Sequence, residues 1–350
     1  RDLVRSRGLG DVYKRQVLGT LADNNIYPVQ SIGGEWSVIA LARAGKLSAD
    51  KAAKYYSELC EAVKANGSDR LSDRKPTENA RVIIALSSLG KNSANIAGYN
   101  LLSGLDDMDY ITSQGINAVI FSLIAFDTTD YSAKTHDELI TYIVDNMTGK
   151  GWALAGNTAD VDLTAMAIQA LAPYAADEKV NAAIDSGLEF LAESLDENAR
   201  YANGSESTSQ VLIALAALGI DPLTDSRFIV DGITLIDALE SYATENGYSH
   251  TLGGEENYMA TEQAALALTA YELSKAGSSL YEMSAKAEPT EPENPDTPAQ
   301  PGDSVKPGDC SGKPEDKNDP INPGTGVLVT GGMAVLISGA VMLISKKKRK

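Results

Sequence analysis

Carboxylates recur in this chain at one kind of place, the polar start of an apolar, small-residue run. Glu35, Glu78, Asp160 with Asp162, Glu206 and Glu262 all stand there. Two chemistries fit the pattern. Paired carboxylates gathered at one mouth of a helical assembly could work as general acid and base on a glycan. Alternatively, Asp, Ser and Thr cap helices, and acids favour the positive N-terminal end. The pattern favours capping. Six starts carry comparable polar groups, whereas catalysis needs one asymmetric pair.

Aromatic residues cluster at the same starts. Trp36, Trp152, Tyr201, Tyr248 and Tyr258 lie in or beside them. If the starts converge, these rings and acids form a rim that could stack on a sugar or another planar ring. The alternative is that Gly-Trp turns pack the loops between helices. The candidate ligand-binding set is Glu35, Trp36, Trp152, Asp160, Asp162, Tyr201, Tyr248, Tyr258 and Glu262, with no catalytic residue assigned.

Other polar groups suggest less. The run Asp106-Asp107-Met108-Asp109 reads as a solvated turn and helix start. His136 reads as a surface residue of a helix start, and His250 lies in a loop near Tyr248 and Tyr258. Two histidines and two cysteines, Cys60 and Cys310, give no metal-type cluster, so no metal or cofactor is expected. No bridge between the two cysteines is expected either. Cys60 lies in a helical pattern and Cys310 in a Pro-rich stretch.

The elements that must hold these residues come in two kinds. Apolar runs recur from Glu35, Thr77, Gly115, Asp162, Ser207 and Thr261. Aligning Ala40, Ala85, Ser122, Ala170, Ala214 and Thr269 gives steps of 45, 37, 48, 44 and 55 residues. These runs are apolar nearly all round and predict helices buried on most sides. Between them lie two-faced segments, 49–65, 135–147, 178–195 and 232–244, with apolar residues at helical spacing. Two alternating helix types imply two layers. The expected fold is all-α, an α/α toroid of about six inner and six outer helices, with an open superhelical solenoid as the alternative.

Composition divides the chain further. Nine of the thirteen prolines fall within 289–323, among Glu, Asp, Thr and Gly. Such a stretch cannot bury enough apolar surface to fold, and reads as an extended stalk reaching on the order of 100 Å. Residues 1–16 resemble translated sequencing adaptor and are set outside the fold. The division is therefore a leader (1–16), a helical repeat domain (17–284), a stalk (285–321) and a terminal segment (322–350). Without the leader and the five terminal basic residues, 20 basic stand against 46 acidic residues, a net of −26. That surface repels nucleic acid.

The repeat segments Gly33–Gly45, Gly151–Tyr174 and Ser205–Pro222 resemble the prenyltransferase and squalene-oxidase repeat superfamily, the terpenoid-cyclase-like toroids. The Gly-aromatic turn before an inner helix recurs as Gly151-Trp152 and Gly247-Tyr248. The resemblance implies the toroid and is closest to a bacterial cell-surface branch, related in fold to the helical domain of cobalamin carriers. It is specific for the fold and weak for any activity. The Asp106–Asp109 run departs from the cyclase Asp-x-Asp-Asp order, and no prenyltransferase zinc set is present.

The C-terminus resembles a sortase substrate. Asn322-Pro323-Gly324-Thr325-Gly326 precedes eighteen apolar or small residues, 327–344, and five basic ones. As a helix the apolar run would be about 27 Å long, enough to span a bilayer. The basic end would stay cytoplasmic. The resemblance implies transpeptidation by a separate sortase. Its cysteine thiolate attacks the Thr325 carbonyl, Gly326 leaves as the amine, and a peptidoglycan amine resolves the thioester. The expected protein is extracellular and anchored to the cell wall. Its helical domain would bind a glycan or small molecule or mediate adhesion. Corrinoid binding and glycan or isoprenoid chemistry are the alternatives.

Overall fold

A computed structural model describes residues 16–23, 27–202 and 204–283. The expectations for residues 1–15, for the stalk and for the sorting signal, Asn322 to Gly326 with its apolar run, lie outside the described residues. Among the described residues, no helix is long and apolar enough to cross a membrane.

The described chain is mostly helical, in keeping with the all-α expectation. After α1 (residues 16–23) come α2 (Ile32–Arg43), α3 (Ala49–Asn66), α4 (Pro76–Ser88), α5 (Leu101–Leu105), α6 (Met108–Thr112) and α7 (Ile116–Asp127). They are followed by α8 (His136–Asp145), α9 (Val161–Leu171), α10 (Glu178–Glu193), α11 (Ser205–Ala217), α12 (Leu235–Glu240) and α13 (Tyr258–Lys275). The six apolar runs are α2, α4, α7, α9, α11 and α13. Ala40, Ala85, Ser122, Ala170, Ala214 and Thr269, the aligned positions, are all at most 1% exposed.

Packing follows sequence order among these six. Helix α2 lies against α4, α4 against α7, α7 against α9, α9 against α11 and α11 against α13, and α13 packs back onto α2. They run in one direction, because hydrogen bonds join start to start and end to end. Arg81 near the start of α4 reaches Glu35 near the start of α2, and Thr128 after α7 donates to Ser87 at the end of α4. Small residues permit this. Ala and Ser facing a neighbour let backbones approach, so each helix is shielded on most sides.

The two-faced helices turn one stripe inward. Tyr55, Leu59, Cys60 and Val63 are the buried face of α3, and Val180, Ala183, Ile184, Gly187, Leu188 and Leu191 that of α10. Each such stripe follows helical spacing, so burial, and not propensity, selects which face turns in.

Two local expectations need correction. Segment 232–244 is not one helix. A hairpin of β1 (Ile229–Val230) and β2 (Ile233–Thr234) turns through Asp231 and Gly232, both at positive φ, and only α12 follows. Thr234 starts that helix with a reciprocal capping box to Asp237, which fixes the boundary later than the apolar spacing suggests. Gln16 belongs to α1, whose Val17, Leu18 and Leu21 are buried. Cys60 is disulfide-bonded, against expectation. Helical periodicity marks Cys60 as buried but carries no information on pairing.

Candidate functional site

The starts of the inner helices hold most of the candidate residues, and capping accounts for the simplest of them. Asp160 is the N-cap of α9 and accepts from Leu163 N at 3.0 Å, as Asn257 does for α13 from Ala260 N and Ser31 for α2 from Gly34 N. This satisfies amides that the first helical turn leaves free.

Glu35 has a different setting. It is fully buried, and Arg81 Nε donates to its Oε2 at 2.9 Å. Tyr55 OH and Gln30 N donate to its Oε1 at 2.9 and 2.7 Å. Arg81 also donates to Glu78 at 2.7 Å. Burial raises the Glu35 carboxyl against these bonds, which favour its charged form. Glu262 is 1% exposed across from it, and its Oε1 meets no donor among the described residues. Burial, aided by the Glu35 carboxylate, pushes Glu262 well above the carboxylate range, with Ser37 and Arg81 opposing. Tyr258 OH lies 2.8 Å from Ser37 Oγ, closing this group. Glu35, Glu262 and Tyr258 thus converge.

A second group forms between α9 and α11. Asp162 is fully buried and pushed up to about 7 by burial and by the nearby Asp160 and Glu206, with Ser207 and His250 opposing. His250 Nδ1 sits 2.8 Å from Glu206 Oε2. A carboxyl held protonated near neutrality can donate a proton, but both Asp162 and Glu262 are closed off from solvent.

The aromatic rim does not form. Trp36, Trp152, Tyr201 and Tyr248 are between 0 and 4% exposed, and only Tyr258, at 44%, faces solvent. Trp36 packs 5.5 Å from Phe121, Trp152 Nε1 donates to Ile143 O, and Tyr201 OH donates to Leu191 O. Trp152 and Tyr201 sit against the preceding two-faced helices α8 and α10, and Trp36 sits against α7, so their large apolar faces are drawn into the core. Asp106 is likewise not solvated. It is buried and accepts from Lys134 N, Thr135 N and Thr135 Oγ1, fixing the turn before α8. Asp107 is the N-cap of α6 and pairs with Arg70.

At the opposite end, where α7, α9, α11 and α13 finish, lies a cavity of about 650 Å³. Its wall includes Ile124, Asp127, Gln169, Tyr174, Ile213 and Ala216, and it is crossed by residues 277–282 after α13. None of the nine candidate ligand residues lines it. Asp127 Oδ1 accepts from Tyr174 OH at 2.6 Å and lies 2.9 Å from His136 Nε2. Burial raises the Asp127 carboxyl, and burial together with Asp127 raises the Tyr174 phenol. Partial burial disfavours the charged His136 ring, yet Asp127 and Asp137 outweigh this and raise it.

This group was missed in the sequence. His136 opens α8 as expected but turns to Asp127 and Tyr174. The three residues belong to separate segments and share no motif. The one available signal was that helix ends, like helix starts, must converge when helices run parallel. Among the described residues, no group of three or more His, Cys, Asp or Glu could hold a metal ion. Comparisons with protein families, curated proteins and solved structures find no match to this chain.

Proposed function

We propose that this chain is a surface-displayed α/α toroid that binds a small molecule in the cavity at the ends of α7, α9, α11 and α13. The cyclic order of inner-helix contacts supports the toroid, as does the resemblance of its repeats to terpenoid-cyclase-like proteins. The cavity is the observation that carries the binding function. Its volume, about 650 Å³, lies within the range of small-molecule sites, and a few polar groups stand in a mainly apolar wall. The aromatic surface first expected to hold a ligand is occupied by core packing, which moves the site to the other end.

Nile red, a neutral apolar dye, tests the reading. Its fluorescence should rise on adding the full chain and fall back with Ile213→Trp and Ala216→Trp, which fill the cavity. A signal unchanged in both variants, with melting temperatures intact, removes the cavity as a binding site.

Display is the second half of the proposal. It rests on the order of pentapeptide, apolar run and basic end in residues 322–350. A separate sortase would join Thr325 to peptidoglycan, and residues 285–321 would carry the domain clear of the wall. Thr325→Ala should shift the protein from the muramidase-released wall fraction to the membrane fraction of an expressing cell. An unchanged distribution defeats this half alone.

A further inference from the structure

The cavity has a sign. Four helices end at it, so the negative ends of their dipoles lie toward it, with turn amides and hydroxyls capping several of the last carbonyls. Asp127 and Glu282 are the charged residues in its wall, and no Lys, Arg or His lines it. Asp127 Oδ1 holds Tyr174 and His136, while no described residue donates to its Oδ2. The nearest cations are already placed. His136 faces Asp127 Oδ1 from outside the lining, and Arg43 Nη2 donates to Ser279 O at 2.8 Å, beside Glu282.

The wall also suits a soft, weakly hydrated ligand. Tyr174 and Tyr281 present rings, Pro173, Ala217 and Leu218 present alkyl surface, and Ile124, Ala170, Ile213 and Leu280 lie almost fully buried behind them. Gln169 is 3% exposed, and its amide is fixed by Gln210 through bonds of 2.9 and 3.1 Å. Its carbonyl oxygen accepts from Tyr281 OH at 3.4 Å. A compact metal ion would gain little from this wall, since most of the lining offers no oxygen. An anion would meet four helix ends of the wrong polarity.

From this we infer that the cavity selects an organic cation, an ammonium group on an apolar body, held between the Tyr174 and Tyr281 rings with its charge toward Asp127 Oδ2. Ring faces attract such cations, most strongly when water is excluded. The inference rests on the proposed small-molecule site and adds the charge class of its ligand.

Three probes of one shape separate the terms. Phenyltrimethylammonium carries the charge, tert-butylbenzene is its neutral isostere, and benzenesulfonate is an anion of similar size. Titration of the full chain, followed by ligand-observed NMR, should show the cation bound about tenfold more tightly than the neutral isostere. The sulfonate should bind more weakly than either. Asp127→Asn should weaken the cation several-fold and leave tert-butylbenzene unchanged. If that variant fails to fold, Tyr281→Leu gives the same contrast from another residue of the lining. Equal affinity of cation and isostere, or preference for the sulfonate, overturns the inference while leaving the cavity a binding site. Failure of all three probes, together with a Nile red signal indifferent to Ile213→Trp, defeats the site itself.

Discussion

Thr164 Oγ1 occupies the space a side chain on Gly151 would need, 2.4 Å from the position of its Cβ. The same hydroxyl accepts from Trp152 N at 3.0 Å. The arrangement repeats, with Thr261 Oγ1 2.4 Å from the Cβ position of Gly247 and accepting from Tyr248 N at 3.0 Å. Glycine lets the turn come down on the helix, threonine holds it there, and the following aromatic ring is driven into the core. Gly151→Ala should therefore destabilise by about 1–3 kcal/mol through overpacking. Thr164→Val, which leaves the buried Trp152 N–H unpaired, should cost about as much. Urea midpoints measure both. Substitutions that leave the midpoint in place would mean the turn can move off the helix freely.

The Glu35–Arg81 pair makes a second prediction. With side chains 0 and 3% exposed, neither partner can turn to water when the other is lost. Arg81→Met strands a buried carboxylate and should cost about 3–5 kcal/mol. The double variant with Glu35→Leu should recover much of that loss, because removing both charges also removes their desolvation. A single variant as stable as the parent would show that Glu35 is already protonated, which its three donors argue against.

Much of the fold was legible because burial writes itself into periodicity. All-round apolar runs at Val38–Leu41, Val82–Leu86 and Val211–Ala216 could only be inner helices, and they are buried to 4% exposure or less. The cap Asp160 could be read for the same reason, since a polar residue before such a run has one obvious use. The site was far less legible. Trp36 and Trp152 were correctly located at helix starts, but exposure depends on where the neighbouring helix lies, which their own segments do not encode. The Asp127, His136 and Tyr174 group depends on the ends of α7 and α9 meeting the start of α8, a property of the whole packing order.

That correction is itself testable. If Trp152 is core, Trp152→Ala should lower stability by about 3–5 kcal/mol, and Trp152→Phe should cost less. Binding of phenyltrimethylammonium by Trp152→Phe should stay within a factor of two of the parent, since the ring is remote from the cavity lining. A large loss of binding with stability intact would return the aromatic starts to the ligand site.

Asp162 gives the pH dependence. Its carboxyl rises from 3.8 to about 7 on folding, chiefly through burial, so between these values the folded protein holds a proton that the unfolded chain has released. Stability must then fall as pH climbs through that window and level off, for this group, above about 7. Asp162→Asn keeps the volume and cannot ionise. Near pH 4 the variant and parent should melt together. The variant should pull ahead through pH 5 and 6, reaching a margin on the order of a few kcal/mol by pH 8. Asp160, Glu206 and His250 face the same carboxyl, and Glu240 and Glu262 are raised as well, so the parent's own curve mixes several groups. The difference between parent and variant isolates one of them. Parallel curves from pH 4 to 8 would mean Asp162 is charged in the folded protein, held by Ser207 and His250 against the burial that surrounds it.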